Sequence, residues 1–162
     1  MRFRLLSVIL LIVLFAPLAQ AQKVVFLIRH AEQVLDVEDP PLTEAGQQRA
    51  KAWATILRDA GLDVVFTSKK ARTKQTGEAV ARELQIPLEA VSRRDVSGLV
   101  ERIRVQHADD AVLVVSHTRT IPKLVEAFGS LEDGTINRED YDNVFVIVPS
   151  GDDGATVLRL RY

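Results

Sequence analysis

The chain has 162 residues, of which 47% are hydrophobic and 27% charged, and it contains no cysteine. This length and composition favour one globular domain with a sizeable core, and the lack of cysteine excludes disulfides, a cysteine nucleophile and a thiolate metal site. The formal net charge of −1 excludes the broad basic field that binding to nucleic acid requires.

The first 21 residues have the pattern of a cleavable secretory signal. A basic start over residues 1–4 precedes an apolar stretch from Leu5 to Phe15, and Ala19-Gln20-Ala21 matches an A-x-A cleavage site. The apolar stretch is about half of the roughly 20 residues that a spanning helix needs, so cleavage after Ala21 is favoured over a retained anchor. We therefore expect a periplasmic or secreted protein with one domain over residues 22–162 and no stable membrane insertion after cleavage.

The first half of that domain alternates between predicted strands and helices. Residues 23–28 form a short apolar run typical of a strand buried on both faces. A helix capped by Thr43 follows and ends at Gly61. Residues 63–67 predict a second strand, Ser68 is the expected cap of a second helix that runs to about Leu84, and residues 87–91 predict a short, weak strand.

The second half continues the alternation and ends in a hairpin. Asp95 is a plausible cap for a third helix, residues 111–115 predict the strongest strand, and a fourth helix is closed by Gly129. Residues 144–148 and 155–160 flank a Gly- and Asp-rich turn, which predicts a β-hairpin whose second strand lies at an edge.

This order of elements predicts an α/β fold. We expect a three-layer sandwich, with a mostly parallel sheet, helices on both faces and an antiparallel hairpin at the C-terminal edge. In such folds, ligands bind beyond the carboxyl ends of the strands, so the residues at those ends are the first candidates for a site.

Basic side chains follow three of the predicted strands. Arg29 and His30 end the first strand, Arg72 lies in the first turn of the helix after the second, and His117 follows the strongest strand. A helical side chain leans toward the N-terminus of its helix, which directs Arg72 back over the strand ends. We expect these four side chains to meet at one rim of the sheet.

Two arginines and two histidines suit a tetrahedral oxyanion better than a metal ion. Arginine stays charged and its planar fork of donors matches phosphate, whereas zinc requires a third ligand and disfavours two neighbouring cations. Nearby arginines lower the pKa of a histidine and leave a ring nitrogen free to attack a phosphate ester. No metal and no cofactor are therefore expected.

At these positions the sequence also resembles the histidine phosphatase superfamily, which has a phosphoglycerate mutase-like fold, and in particular its compact phosphohistidine phosphatases. The similar stretches are "IRHAEQ", "TSKKARTKQT" and "VVSHTRTIP", together with "PPLTEAGQQRA" at the entry to the first helix. The resemblance implies His30 as the phosphorylated nucleophile, with Arg29, Arg72 and His117 as the phosphate pocket. Thr118, beside His117, is predicted as a further phosphate ligand.

The proton donor for the leaving group is left open by the sequence. Glu32, just after the nucleophile, and Asp95 are the two candidates, although Glu32 is equally compatible with a solvated carboxylate and Asp95 more compatible with a helix cap. Without a donor, the enzyme would favour phosphoramidates, acyl phosphates and other substrates with good leaving groups. The chain has no long insertion to cover the site, which predicts an open cleft.

We therefore expect a metal-independent phosphatase acting on phosphate monoesters or phosphoramidates through a phosphohistidine intermediate. A phosphorylated small molecule, glycan or protein is equally compatible with these residues as the substrate. A non-catalytic phosphate- or phosphosugar-binding module is the alternative, and a phosphomutase is less favoured because an open site admits water.

Overall fold

The computed structural model describes residues 24–150 and 154–162. Within these ranges there are six strands, β1 (Val24–Arg29), β2 (Leu62–Ser68), β3 (Leu88–Val91), β4 (Ala111–Ser116), β5 (Asn143–Ser150) and β6 (Gly154–Arg161). The same ranges contain four helices, α1 (Glu44–Ile56), α2 (Ala71–Leu84), α3 (Val96–Gln106) and α4 (Ile121–Ala127).

The six strands form a mixed sheet in the order β3-β2-β4-β1-β5-β6. The pairs β3·β2, β2·β4 and β4·β1 are parallel. β5 pairs antiparallel with β1, and β6 pairs antiparallel with β5 at the edge of the sheet. The α/β fold predicted from the sequence, with its antiparallel C-terminal hairpin, is confirmed.

Helices cover both faces of this sheet. On one face, Val25 and Leu27 of β1 pack in a buried cluster with side chains of α3 and α4. On the other, Ile28 packs in a second cluster with side chains of α1 and α2, including the fully buried Trp53. Successive strand residues point to opposite faces, and burial on both sides explains the continuous apolar run that ends at Arg29.

Two of the three predicted helix N-caps are confirmed. Thr43 Oγ1 accepts a hydrogen bond from the Gly46 amide (3.0 Å), and Asp95 caps α3 through the Gly98 amide (3.0 Å). The prediction that Ser68 caps α2 is wrong, because β2 extends through Ser68 and the N-cap is Lys70. The Ser68 hydroxyl is instead held by side chains of the site described below.

Several predictions fall on other parts of the chain. The predicted signal sequence, Lys23 and residues 151–153 of the hairpin turn lie outside the described residues. Across residues 24–150 and 154–162, no helix combines the length and apolar character needed to cross a membrane.

β6 is the predicted edge strand, but Leu158 and Leu160 are 55% and 45% exposed, so its apolar side is only partly covered.

Candidate active site

The parallel strands bring the predicted site residues to one rim of the sheet. Arg29, the last residue of β1, is paired in register with Ser116, the last residue of β4. His30 and His117 are the next residues of the chain, and their ring centroids lie 5.4 Å apart. Together with Arg72 from α2, they line an open cleft of about 850 Å³. Thr118 also lines this cleft.

His30 is held as one tautomer. Its Nδ1 lies 2.8 Å from the Ala31 carbonyl oxygen, and because that oxygen only accepts, Nδ1 carries the hydrogen. The lone pair is therefore on Nε2, the nitrogen that is free to act as a nucleophile. The Ala31 amide donates to Thr76 Oγ1 (3.0 Å), which ties this segment to α2.

The same side chain is neutral at physiological pH. His30 is only 4% exposed, and burial, followed by the charges of Arg29 and Arg72, lowers its pKa from 6.5 to about 3. The sequence predicts the direction of this shift from the two arginines, but burial is the larger cause. A neutral imidazole next to two fixed cations is suited to attack an anionic phosphorus centre.

His117 is oriented by a chain of hydrogen bonds. Arg72 approaches its Nδ1 at 3.4 Å, and since a guanidinium only donates, Nδ1 accepts and Nε2 carries the hydrogen. Nε2 then donates to Ser68 Oγ (2.8 Å), which in turn lies 2.8 Å from Thr73 Oγ1. This use of the Ser68 hydroxyl explains why it does not cap α2.

Burial, Arg72 and Arg93 lower the pKa of His117 from 6.5 to about 4. His117 is therefore neutral in the free site at neutral pH. A phosphate dianion beside Nδ1 would raise the pKa again, because an opposite charge favours the charged form. Protonation of His117 is thus coupled to binding of an anion.

Arg29 joins the site to the connection between α4 and β5. Its Nη1 donates to the carbonyl oxygens of Asn137 (3.3 Å), Arg138 and Asp140 (3.3 Å). Its Nη2 donates to the Tyr141 hydroxyl (3.3 Å), and its guanidinium carbon lies 4.1 Å from the centroid of the Tyr141 ring. These contacts fix the orientation of the guanidinium.

One donor of each arginine remains available. The Nε atoms of Arg29 and Arg72 are buried and have no hydrogen-bond partner among the described residues. Burial lowers the pKa of both side chains, but arginine starts so high that both stay charged. A buried donor without a partner is unfavourable, and an oxyanion bound between the two guanidinium groups would satisfy both.

The two candidate proton donors have structural roles. Glu32 lines the cleft but binds Arg49 through both carboxylate oxygens (2.8 and 2.9 Å to Nε). Although partial burial would raise the pKa of Glu32, its hydrogen bonds to Arg49 bring it below its ordinary value, so Glu32 is ionised at neutral pH. Asp95 caps α3 and is not among the side chains that line the cleft.

The structure adds cleft residues that the sequence analysis missed. They are Arg49, Arg93, Arg119, Arg138, Glu139 and Tyr141. Arg49 and Arg119 lie inside the stretches that carry the resemblance, and Arg93 closely follows β3, but the sequence analysis did not single them out. Arg138 to Tyr141 lie in the connection whose carbonyl oxygens and Tyr141 hydroxyl bind Arg29. Their placement therefore depends on tertiary contacts rather than on a local pattern.

The donor set around the cleft is poorly suited to a metal ion. Among the residues that the structure describes, no group of three or more His, Cys, Asp or Glu side chains is arranged to hold one. Glu32, a carboxylate beside His30, is already neutralised by Arg49.

Comparison with known proteins agrees with the resemblance seen in the sequence. The family model of the histidine phosphatase superfamily (branch 1) matches residues 25–94, the segment that contains Arg29, His30 and Arg72. The predicted resemblance to this superfamily is thereby confirmed over these residues. No curated protein gives a significant sequence match.

Solved structures share the fold over nearly their whole length. The protein histidine phosphatase SixA, in complex with tungstate, has a TM-score of 0.72 and 22% identity, with 85% of this chain and 96% of that chain covered. YhfR from Bacillus stearothermophilus has a TM-score of 0.69 and 20% identity, with 83% of this chain and 95% of that chain covered. The alpha-ribazole phosphatase from Shigella flexneri has a TM-score of 0.67 and 17% identity, with 86% of this chain and 96% of that chain covered. At these identities the likeness establishes a common fold.

Proposed function

We propose that the protein is a metal-independent phosphatase that acts on phosphate monoesters or phosphoramidates through a phosphohistidine on His30. The observation that carries this proposal is the geometry of the cleft. The neutral imidazole of His30 has a free Nε2 and lines the same cleft as Arg29 and Arg72, each of which has a buried, unpartnered Nε–H. This set supplies a nucleophile and charge stabilisation for phosphoryl transfer.

In the first step, the lone pair of His30 Nε2 forms a bond to phosphorus. The bond from phosphorus to the leaving oxygen or nitrogen breaks, and the leaving group departs with the electron pair. The Nε–H groups of Arg29 and Arg72 stabilise the non-bridging oxygens. His117, protonated when the dianion binds, donates from Nδ1 to the same phosphoryl group.

In the second step, water attacks the phosphohistidine and the phosphorus–nitrogen bond breaks. The electron pair returns to His30 Nε2, and inorganic phosphate is released. The cleft is wide, with a volume of about 850 Å³, and so gives water access to the intermediate. This access favours hydrolysis over a mutase reaction, which requires water to be excluded.

The leaving group limits the range of substrates. Glu32 is held ionised by Arg49, and Asp95 lies outside the cleft lining, so neither is placed as a proton donor. Acyl phosphates and aryl phosphates release stable anions, and a phosphoramidate whose leaving nitrogen is protonated in solution releases a neutral amine. These substrates therefore need little or no protonation by the protein. The likeness to SixA, described as a protein histidine phosphatase, supports phosphoramidates as one substrate class.

The binding of tungstate by SixA supports the same pocket for phosphate in this chain. Tungstate is a tetrahedral oxyanion like phosphate, and SixA shares the fold with a TM-score of 0.72. The two unpartnered arginine donors match such an anion. No step here requires a metal ion, and the cations of Arg29 and Arg72 would repel one.

The location outside the cytoplasm remains a proposal based on the first 21 residues. Expression of the full chain followed by cell fractionation tests it. A periplasmic or secreted form that begins at Gln22 is the expected result. A cytoplasmic product that retains Met1 would contradict the proposal, and a membrane-bound product would indicate a retained anchor.

The catalytic proposal is tested by trapping the intermediate. The purified mature chain is incubated with a labelled aryl phosphate and quenched with base, since phosphohistidine is acid-labile. We expect label on the wild type, none on His30→Ala, and an unchanged rate of hydrolysis in the presence of a chelator. Binding of phosphate without label or turnover would instead identify a phosphate-binding module, and loss of activity with the chelator would overturn metal independence.

A further inference from the structure

A second pocket lies beside the catalytic cleft. It has a volume of about 380 Å³ and is formed by the turn after β2 and the turn after β3. Its ionisable side chains are Lys69, Lys70, Arg93 and Arg94, which we call the basic shelf. Arg93 lines both the shelf and the catalytic cleft, so the two spaces adjoin.

The shelf carries an excess of positive charge that its surroundings do not neutralise. Lys70 lies 3.6 Å from Asp39, which also approaches Arg72 at 3.9 Å. Lys69, Arg93 and Arg94 have no carboxylate within 4.0 Å in the described ranges. Because the whole chain has a formal net charge of −1, this local cluster does not follow from a generally basic composition.

The backbone under the shelf is held in place. β2 and β3 are neighbours, with Ser68 paired to Val91, so the two turns leave adjacent strands about 4.8 Å apart. Ser68 Oγ accepts from the Lys70 amide (3.2 Å), and Ser92 Oγ accepts from the Arg94 amide (3.3 Å). The cations are thus carried on two short, ordered turns.

The shelf is also electrostatically close to the reacting centre. After burial and Arg72, the charge of Arg93 lowers the pKa of His117, and Lys70 contributes in the same direction. Ser68, which borders the shelf, accepts the hydrogen bond from His117 Nε2 (2.8 Å). An anion on the shelf would therefore lie on the same side of the cleft as His117, beside the Arg93 side chain that both pockets share.

We propose that the basic shelf is a second anion subsite and that the preferred substrate is a small molecule with two phosphate groups. One phosphate is transferred to His30, and the other is held by Lys69, Arg93 and Arg94. The inference rests on the proposed phosphatase activity for the first phosphate. A concave pocket that adjoins the catalytic cleft fits a second phosphate on the same small molecule better than an extended polyanionic surface.

The test compares propanediol bisphosphate with propanediol monophosphate, which differ only in the second phosphate. Binding to the His30→Ala form is measured by calorimetry, which requires no turnover. We expect the bisphosphate to bind at least tenfold more tightly, a factor that corresponds to about 1.4 kcal/mol. The double variant Lys69→Ala/Arg94→Ala, in the same background, is expected to lose most of this preference.

A matched control removes two cations elsewhere. Lys51 and Arg82 are exposed on α1 and α2 and line a different surface pocket, and Lys51→Ala/Arg82→Ala changes the net charge equally. The control is expected to keep the preference. Equal binding of the two ligands, or a preference that both double variants lose alike, would overturn the proposal.

Turnover of 4-nitrophenyl phosphate by the wild type separates this inference from the proposed function. If the ester is hydrolysed but the two propanediol ligands bind equally, the shelf proposal fails and the phosphatase proposal stands. If the bisphosphate preference is found and no phosphohistidine forms, the phosphatase proposal fails instead. A gain from the shelf for an acidic phosphopeptide, but not for the bisphosphate, would also overturn the small-molecule assignment.

Discussion

The neutral state of His30 makes the stability of the protein depend on pH. Burial, Arg29 and Arg72 lower its pKa from 6.5 to about 3, so between these values the unfolded chain binds more protons than the folded one. Stability due to this residue is present above about pH 6.5 and is lost as the pH falls toward 3. We expect the free energy of unfolding to fall by on the order of 1–2 kcal/mol between pH 7.5 and pH 5 from this source.

Urea denaturation at the two pH values measures this effect. His30→Asn removes the titrating group and is expected to reduce the difference between pH 7.5 and pH 5, although His117 leaves part of it. The same pH dependence in the wild type and the variant would show that His30 is not held neutral by the fold.

Two carboxylates, Glu32 and Glu139, line the cleft. Glu32 is paired with Arg49, whereas Glu139 makes no ion pair or side-chain hydrogen bond with the described part of the chain. It lies in the connection that Arg29 holds, and its charge acts on Arg29. Since neither Glu32 nor Asp95 is placed as a proton donor, Glu139 is the remaining candidate to protonate a leaving alkoxide. We therefore expect Glu139→Gln to slow the hydrolysis of alkyl phosphates by about 10- to 100-fold, because general acids contribute factors of this size or more. Aryl phosphates, which have better leaving groups, are expected to be affected much less.

The comparison of kcat/KM for an alkyl and an aryl phosphate provides the measurement. Glu132→Gln, an exposed position earlier in the same connection, is the matched control and is expected to leave the ratio unchanged. An equal loss on both substrates in Glu139→Gln would indicate a positioning effect instead of proton donation.

At the scale of elements, α1 is packed directly against the segment that follows His30. A Cβ atom added to Gly46 would lie 2.1 Å from the Glu32 carbonyl oxygen, which also accepts from the Thr43 amide (2.9 Å). Gly46→Ala must therefore displace α1 or the segment of Ala31 and Glu32. We expect a loss of about 1–3 kcal/mol in stability and a fall in kcat that exceeds the change in KM.

Thermal denaturation and steady-state kinetics test this contact together. Gln48→Ala, an exposed substitution in the same helix, is expected to leave both properties nearly unchanged. A Gly46→Ala protein with normal stability and normal kcat would show that the close approach has no consequence for the site.

For the whole molecule, the sequence predicts most of the fold and the centre of the site. The apolar runs ending at Arg29 and Ser116 predict strands whose carboxyl ends share one rim of the sheet. The structure adds that the two strands are neighbours, which brings His30 beside His117. The sequence does not predict the ion pair of Glu32 with Arg49, because that contact depends on how α1 crosses the sheet. For the same reason, the sequence does not predict that Glu139 and Tyr141 line the cleft. Their position depends on the connection before β5, which Arg29 binds.

The position of β1 between β4 and β5 has a consequence for folding. Strand β1 starts at Val24, but its parallel partner begins at Ala111 and its antiparallel partner at Asn143. Pairings so distant in the sequence must close long loops before they gain contacts, which slows folding. During synthesis from the N-terminus, β1 cannot pair until Ala111 and Asn143 have been made, so Arg29 and His30 join the other strand ends only after these later segments exist.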